Sequence, residues 1–247
     1  MDKLVETRSE RFWNFEAWTR DQWVKAQAAK LPPGSWVLDA GAGASKYRPL
    51  FSHCRYTTQD FCRYEGPLVQ YTQPIDYVCD LLEIPLPDAS LDAIFCTEVL
   101  EHVTDPVAVI REFRRLLKPG GMLFLTAPFN SDLHMAPYHY YAGFTAYWYR
   151  YWLPSLGFVI DEIAPQGGPG RVAVRSLHAC YGNWRAWESK LRGVKRLLSS
   201  ACRMLVKIPV HYIAPWILHS FDHHLDWEGS CTGLMVAATR ESDSRLV

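Results

Sequence analysis

Several features that would place a protein in other classes are missing from these 247 residues. The seven cysteines form no Cys-x-x-Cys pair, so neither a zinc site nor a disulfide framework is supported, and a reducing cytoplasm is favoured. The formal net charge is +0, whereas proteins that grip nucleic acid carry a basic excess. No apolar run is long enough to span a bilayer, and the charged first residues are unlike a secretory signal. We therefore expect a cytoplasmic protein that binds neither a metal nor nucleic acid.

The composition is that of a globular chain able to bury a full core. Apolar residues make up 49% and charged residues 21%, and the length favours a single domain over residues 1–247. Ten tryptophans and thirteen tyrosines exceed what a core needs. Aromatic side chains in such number indicate an acceptor pocket or an interface.

A short apolar strand runs directly into a glycine turn near the start of the chain. Asp39 precedes Gly41 and Gly43, and Ser45 follows as a residue able to cap a helix. Such a turn gathers backbone N–H groups and lets a ligand approach the main chain without meeting a Cβ. It predicts a nucleotide-type cofactor site. The nicotinamide fingerprint, however, needs a third glycine where this chain has Lys46.

A second acid stands at the spacing expected of a ribose-binding residue. Residues 55–59 are predicted to form a strand that ends at Asp60, 21 residues after Asp39. Dinucleotide folds place an acid about 20 residues beyond the glycine turn, where it takes the ribose hydroxyls. A carboxylate suits two adjacent hydroxyl donors because it can accept from both.

Strand and helix patterns alternate along the next part of the chain. We predict strands at residues 75–79, 93–97, 122–128 and 157–163, a helix beginning after Asp105, and a last strand at residues 232–238. Alternation at this interval implies a parallel, doubly wound sheet with helices on both faces. The ligand is then expected outside the carboxyl ends of the strands.

These motifs, in this order, resemble the class I S-adenosylmethionine (SAM) methyltransferases. The stretch 39–45 resembles their motif I, Asp/Glu-x-Gly-x-Gly-x-Gly, with Ser45 in place of the third glycine. The stretch 98–102, Glu-Val-Leu-Glu-His, resembles the signature of the ubiquinone-biosynthesis-like branch. The resemblance covers about residues 35–163. It implies an α/β Rossmann-like fold of seven mostly parallel strands, with an antiparallel last strand and a helical insertion before it.

The resemblance also implies the cofactor, SAM, and the residues that hold it. In this family the acid at the end of strand three, here Asp80, faces the adenine amino group, and Leu81 packs against the ring. The expected cofactor-binding residues are Asp39, Gly41, Gly43, Asp60, Asp80, Leu81 and Thr97, the last through its backbone.

The acceptor is expected beside residues 98–102 and 129–144, which follow strands four and five. The second segment mixes aromatic, histidine and amide side chains, which form an apolar wall with hydrogen-bonding tips. A hydroxyl acceptor benefits from a base, and histidine suits that role near neutral pH. We predict His139 and His134 as equal candidates, with His102 in a structural or cofactor-side role.

Two segments are predicted to lie outside the central sheet: an N-terminal helical cap at residues 1–30 and a helical insertion at residues 164–231. The cap can pack on the sheet or close over the cofactor. In the insertion, a basic stretch at 185–207 precedes an apolar, aromatic one at 208–218. This layout suits an anionic membrane surface contacted through residues 185–219, at the inner face of the membrane. The same layout suits a subdomain that covers the sheet edge or forms a homodimer contact.

The sequence therefore predicts a SAM-dependent methyltransferase that modifies oxygen on a small molecule or glycan. Two alternatives stay open. One is a catalytically silent protein that binds SAM or a protein partner, and the other is a nicotinamide oxidoreductase, which Asp39 and Lys46 disfavour.

Overall fold

The structure is a computed structural model that describes residues 14–242. Residues 1–13, which begin the predicted N-terminal cap, and residues 243–247 lie outside the described part. The strands are β1 (Trp36–Ala40), β2 (Arg55–Asp60), β3 (Tyr77–Val78), β4 (Leu91–Thr97), β5 (Leu117–Pro128), β6 (Phe158–Pro165) and β7 (Gly233–Arg240). The helices are α1 (Phe15–Ala28), α2 (Pro106–Leu116), α3 (Ala146–Ser155), α4 (Pro169–Glu188), α5 (Gly193–Ile208) and α6 (Ala214–Phe221).

One seven-stranded sheet carries the fold, in the order β3-β2-β1-β4-β5-β7-β6. Strands β1 to β5 pair in parallel, and β7 is antiparallel to both of its neighbours. This confirms the predicted Rossmann-like sheet with an antiparallel last strand. The carboxyl ends of β1 to β5 therefore meet at one edge, where the glycine turn and the loops that follow β4 and β5 begin.

Both faces of the sheet are covered. Trp23 and Val24 of α1 pack with Phe95 of β4 and Phe124 of β5 in one buried cluster. Successive strand residues point to opposite faces, and Ile94, next to Phe95, is also fully buried. Strands buried on both faces are expected to read as continuous apolar runs, as these do. Helix α1 thus packs on the sheet, which is one of the two arrangements that the sequence leaves open.

Most predicted strands are present, but β3 is shorter than expected. The sequence predicts a strand over residues 75–79, whereas only Tyr77–Val78 pairs with β2. Asp76 explains why pairing begins only at Tyr77. Its carboxylate accepts hydrogen bonds from the backbone N–H of Thr58 at 2.8 Å and from the Thr58 hydroxyl at 2.9 Å. A side chain therefore takes the donor that a longer third strand would have used.

Residues Gly167–Thr232 form a second compact unit, separate from the unit that contains the sheet. Inside it, Asp222 accepts from the backbone N–H of Gly168 at 2.8 Å and pairs with Arg171 at 3.3 Å. Glu188 at the end of α4 pairs with Arg203 of α5 at 2.7 Å. The division of the chain into domains stays a prediction. Among the described residues, no helix is both long and apolar enough to cross a membrane.

The apolar side chains of α5 lie in solvent rather than in a core. The helix has no buried residue. Its exposed apolar residues recur at helical spacing and are Val194, Leu197, Leu198, Met204, Leu205 and Ile208. Leu205 is 78% exposed. Residues three and four apart lie on one face of a helix, so these side chains form one apolar stripe, which we call the α5 stripe.

Candidate active site

A cavity opens at the edge where the carboxyl ends of the parallel strands meet. The space between its walls is about 980 Å³, counting its open mouth. Its walls come from the glycine turn after β1, the end of β2, and the segments after β3, β4 and β5. The predicted cofactor residues that line it are Gly41, Gly43, Asp60, Asp80 and Leu81. Open α/β sheets bind their ligands at this position.

The glycine turn is held tightly against its neighbours. Gly41 has φ +73°, a left-handed conformation that favours glycine. Its N–H donates to the backbone oxygen of Gln59 at 2.9 Å and to the Gln59 side chain at 3.1 Å. A Cβ added to Gly41 would lie 2.5 Å from a methyl carbon of Val99, in the loop after β4. The turn therefore needs glycine here both for its backbone and for the space that Val99 occupies.

The helix predicted to begin at Ser45 is absent, so that prediction is wrong. Ser45 has φ +55° and is followed by turns and a short 3-10 helix, Arg48–Phe51. Lys46 and Tyr47 instead reach back to α1, where both hydrogen-bond to Asp21 at 2.8 Å. Because these buried polar contacts hold the chain to α1, the turn does not continue into an α-helix.

Asp60 lies at the centre of the cavity wall and is already hydrogen-bonded. One oxygen accepts from the backbone N–H of Gly43 at 2.9 Å. The other accepts from the N–H of Cys62 at 2.9 Å and from the hydroxyl of Tyr71 at 3.1 Å. An ionised carboxylate has about four acceptor sites and three are taken, so one is free for a ribose hydroxyl, and a second becomes free if the Tyr71 hydroxyl is displaced. The predicted spacing between Asp39 and Asp60 thus brings an acid onto the glycine turn itself.

Asp80 and Leu81 form the next part of the same wall. Asp80 is exposed, and one of its oxygens accepts from the backbone N–H of Leu82 at 3.0 Å. Leu81 is buried. An exposed acceptor beside an apolar side chain suits an aromatic ring that carries an amino group. Their contact with adenine stays a prediction.

Asp39 and Thr97 are not among the residues that line the cavity. Asp39 is 2% exposed and accepts a short hydrogen bond from the hydroxyl of Tyr56. Burial raises the pKa of the Asp39 carboxyl to about 6, and Asp60 adds to the effect. Thr97 is the last residue of β4 and pairs with Thr126 of β5. Both stand beside the wall, and their contact with the cofactor stays a prediction.

Several lining residues were missed by the sequence reasoning. They are Gln59, Phe61, Arg63, Val69 and Tyr71. Residues 61–71 form an irregular segment after β2, and no motif marks it. The only sequence signal in this segment is the presence of aromatic and apolar residues close to Asp60. Glu98, in the predicted segment after β4, also lines the cavity.

The segment 129–144 is tied to the loop after β4. The backbone oxygen of Glu101 accepts from the N–H of Tyr140 at 2.9 Å and from that of Tyr141 at 3.2 Å. Tyr138 and Tyr140 line the mouth of the cavity. The two segments predicted to form the acceptor side are therefore joined by main-chain hydrogen bonds.

Three histidines meet at this junction. The ring centroids of His102 and His134 are 4.8 Å apart, and those of His134 and His139 are 4.6 Å apart. Burial lowers the pKa of His102 to about 4 and, together with His134, lowers the pKa of His139. Lowered pKa values keep imidazoles neutral, the form that accepts a proton. His102 lines the cavity, whereas His134 and His139 lie just outside its lining.

The cavity fits a nucleoside cofactor. One wall offers the Asp60 carboxylate for hydroxyls, and another offers buried Leu81 beside Asp80. The glycine turn closes the base of the cavity. These are the groups that the ribose and the base of such a cofactor require.

A family model matches the part of the chain that contains the predicted cofactor-binding residues. Residues 38–125, which run from β1 to β5, match the family model described as a methyltransferase domain. This range contains each of the predicted cofactor-binding residues. The match therefore coincides with the elements that build the cavity.

Two groups of curated relatives are similar to parts of the chain. Human "Probable tRNA methyltransferase 9B" is 33% identical over 116 residues, 44% of this chain and 24% of the relative. A ubiquinone biosynthesis O-methyltransferase of Xanthomonas oryzae pv. oryzae is 65% identical over 37 residues, 15% of this chain and 16% of the relative. The chain thus spans about a quarter or less of these relatives.

Solved structures share the fold at low identity. The SAM complex of phosphoethanolamine N-methyltransferase 2 from Haemonchus contortus has a TM-score of 0.52 at 15% identity, over 91% of this chain and 53% of that one. A SAM-dependent methyltransferase from Mesorhizobium loti has a TM-score of 0.51 at 16% identity, over 91% and 98%. These matches show the fold.

Proposed function

We propose, from the premise that this chain belongs to the class I SAM-dependent methyltransferases, that it transfers a methyl group to oxygen of a small molecule or glycan. The observation that carries this proposal is the cavity lined by Gly41, Gly43, Asp60, Asp80 and Leu81. When bound, SAM would supply a methyl group carried on a sulfonium sulfur. The methyl group is transferred to the acceptor oxygen by in-line displacement, and the sulfur leaves as a thioether.

The residues of the chain bind and orient. We propose that Asp60 accepts from the ribose hydroxyls and Asp80 from the adenine amino group, while Leu81 packs on the ring. Asp39 and Thr97 are proposed to contact the cofactor from beside this wall, Thr97 through its backbone. Alignment of nucleophile and methyl group is the main contribution of such a protein to rate.

On the acceptor side, we propose that a histidine removes the hydroxyl proton. His139 and His134 belong to the segment whose tyrosines line the cavity mouth. The Nε2 of His139 lies 3.1 Å from the Ser131 hydroxyl, and the Nδ1 of His134 lies 2.9 Å from the Asp132 backbone oxygen. Both rings are thus held in place by neighbours of the same segment. A positioned base contributes about 10²–10⁴-fold in rate.

The cofactor assignment is tested by isothermal titration of S-adenosylhomocysteine into the full chain. We expect saturable binding that Asp60→Ala weakens at least tenfold. The matched control is Asp161→Asn, which removes an acid from β6, where it accepts from Thr239 and lies outside the cavity lining. Absence of binding to the wild-type chain, or unchanged affinity of Asp60→Ala, overturns the assignment.

The acceptor class is tested with radiolabelled SAM and separate pools of tRNA, glycans and organic-extractable metabolites. Relatives are named for tRNA and for ubiquinone biosynthesis. A net charge of +0 and an aromatic cavity mouth favour a small or sugar acceptor. Label in tRNA alone would contradict the proposal. Cofactor binding without label in any pool would support the alternative of a catalytically silent protein.

We further propose that the second unit contacts an anionic membrane surface. Beyond the α5 stripe, Tyr212, Ile213, Trp216 and Phe221 are exposed, and Trp216 is 69% exposed. Lys195, Arg196 and Lys207 are also exposed on α5, at positions that helical spacing places away from the stripe. A helix with an apolar face and basic flanks lies in the plane of a membrane interface.

The measurement is co-sedimentation with vesicles of phosphatidylglycerol and phosphatidylcholine, compared with phosphatidylcholine alone. We expect binding to the anionic vesicles that falls with salt and is lost in Leu197→Glu/Leu205→Glu. The control is Ala186→Glu, an exposed change on α4. Equal sedimentation of the stripe variant and the control would refute membrane contact through α5. The oligomeric state of the two variants tests the alternative. If the control is a dimer and the stripe variant is a monomer, the α5 stripe forms a homodimer contact instead.

A further inference from the structure

Two histidines and a buried glutamate converge where the loop after β4 meets the segment after β5. One ligand atom from each of Glu101, His102 and His134 lies within 4.8 Å of those of the other two. The Nε2 of His102 is 3.7 Å from a carboxylate oxygen of Glu101. We propose that these three side chains bind a divalent metal ion, and that the ion is zinc. Two imidazoles and one carboxylate are a zinc donor set.

Glu101 gives the strongest argument for a cation at this cluster. Its side chain is 1% exposed, and within the described part of the chain its Oε2 has no hydrogen-bond partner. A buried carboxylate without a partner is costly, because it has lost its hydration and gained nothing in return. A metal ion bound by the Glu101 carboxylate would supply the positive charge that this buried group lacks.

The two imidazoles are oriented as metal ligands are. The Nδ1 of His102 lies 2.5 Å from the backbone oxygen of Tyr138, and the Nδ1 of His134 lies 2.9 Å from that of Asp132. A carbonyl oxygen only accepts, so each Nδ1 must carry the proton. Each Nε2 is then an unprotonated lone pair. Metal-binding histidines are usually fixed by this kind of hydrogen bond from the second ring nitrogen.

The arrangement requires a small adjustment and leaves room for a further ligand. Zinc bonds of about 2.0–2.2 Å bring tetrahedral ligand atoms to roughly 3.3–3.6 Å from one another. Binding would therefore draw the three side chains together by about 1 Å. Three protein ligands leave a fourth position open, which is typical of catalytic rather than structural zinc. His102 also lines the proposed cofactor cavity, so the ion would stand beside the acceptor side.

This inference deepens the proposed function and reassigns one residue within it. If His134 is a ligand, its lone pair is engaged, and His139 becomes the base. The Nε2 of His139 interacts with Ser131, and His139 is not a member of the three-residue cluster. The fourth position of the ion would suit an acceptor oxygen. That role rests on the methyl transfer proposed above, whereas metal binding itself does not.

The experiment uses the full chain without an affinity tag, dialysed against micromolar Zn²⁺ and analysed for metal content. We expect about one zinc per chain, with affinity reduced at least 100-fold in Glu101→Gln and in His134→Ala. The control is His223→Ala/His224→Ala, which removes an exposed histidine pair of the second unit. Co²⁺ substitution should give a visible absorption spectrum in the wild-type chain and in the control.

The outcomes separate folding, metal and cofactor. His134 is partly exposed in an irregular segment, so His134→Ala should keep the wild-type circular dichroism spectrum even if the buried Glu101 variant misfolds. No zinc in the wild-type chain, or zinc retained by a folded His134→Ala, overturns the site. S-adenosylhomocysteine titrated after chelation reports the cofactor site alone. A chain that binds the cofactor but no metal would refute this inference and leave the proposed function standing.

Discussion

The guanidinium of Arg20 lies 3.3 Å from the carboxylate of Glu98 and joins helix α1 to the loop after β4. Arg20 is buried, and Glu98 lines the cavity. The other oxygen of Glu98 accepts from the Thr126 hydroxyl and the Gln166 amide, each at 2.8 Å. This pair therefore connects a helix outside the family match to a wall of the candidate site.

We expect Arg20→Met to lower the free energy of unfolding by about 2–3 kcal/mol, measured by urea denaturation. Removing one partner of a buried ion pair leaves the other charge uncompensated, at a cost of about 3–5 kcal/mol. The smaller value follows because the Glu98 side chain is 29% exposed and keeps two hydrogen bonds. Arg20→Met/Glu98→Gln should recover part of the loss. Strictly additive effects of the two changes would contradict a direct interaction.

Gly41→Ala should destabilise the protein more than Gly34→Ala does. Both glycines have positive φ, +73° and +83°, but a Cβ at Gly34 meets nothing within 4 Å. Gly34→Ala then bears only the backbone strain, about 1 kcal/mol. Gly41→Ala adds overpacking against Val99 and should cost about 2–4 kcal/mol in urea denaturation. Gly41→Ala/Val99→Ala should regain the overpacking part. Equal losses at the two glycines would show that Val99 does not limit the turn.

The buried carboxyl of Asp39 should make stability fall with rising pH in one window. Its folded-state pKa is raised to about 6, while an unfolded Asp titrates near 3.9. The folded state therefore holds the proton more tightly, and unfolding free energy decreases from about pH 4 to pH 6. Two pKa units correspond to about 3 kcal/mol at most. Above that window the contribution is constant.

The measurement is urea denaturation of the wild-type chain and Asp39→Asn at closely spaced pH values. The wild-type-minus-variant difference should slope downward between pH 4 and 6 and then flatten. Asp92→Asn is the control of opposite sign. Partial burial by itself would raise the pKa of Asp92. Hydrogen bonds from Lys118 and from the backbone N–H of Trp36 outweigh this effect and lower the pKa. That contribution is lost as pH falls. A difference curve for Asp39 without slope would contradict the raised pKa.

Ser45→Gly should stabilise the protein by about 0.5–1.5 kcal/mol. Ser45 has φ +55°, and within residues 14–242 its buried hydroxyl oxygen has no hydrogen-bond partner. Glycine removes both the left-handed strain and the unsatisfied group. Thermal unfolding should show a higher Tm. Ser35→Gly is the control, since its hydroxyl donates to the Pro32 oxygen at 2.7 Å and its loss should lower Tm. A lower Tm for Ser45→Gly would contradict the view that the conformation and the unpartnered hydroxyl of Ser45 destabilise the protein.

Most of the sheet followed from local sequence. The apolar runs of β1, β4 and β5, bounded by glycine, proline and acidic residues, predict buried strands because both faces of a parallel sheet exclude water. The Asp105 cap and Pro106 predict the start of α2, where the Asp105 carboxylate accepts from the N–H of Ala108 at 2.9 Å. The alternation of these elements predicts the doubly wound order. Each signal lies within one element and needs no distant partner.

The candidate site also has features that the local sequence predicts and features that only tertiary contacts determine. The spacing from Asp39 to Asp60 brought a carboxylate to the glycine turn because both residues sit at carboxyl ends of neighbouring parallel strands. The left-handed Ser45, the shortened β3 and the part of segment 61–71 that lines the cavity depended on contacts with residues far along the chain. The meeting of Glu101 and His102 with His134 depended on how two irregular segments fold back on each other. Spacing within one segment carries no record of such a contact, so only the tertiary structure decided it.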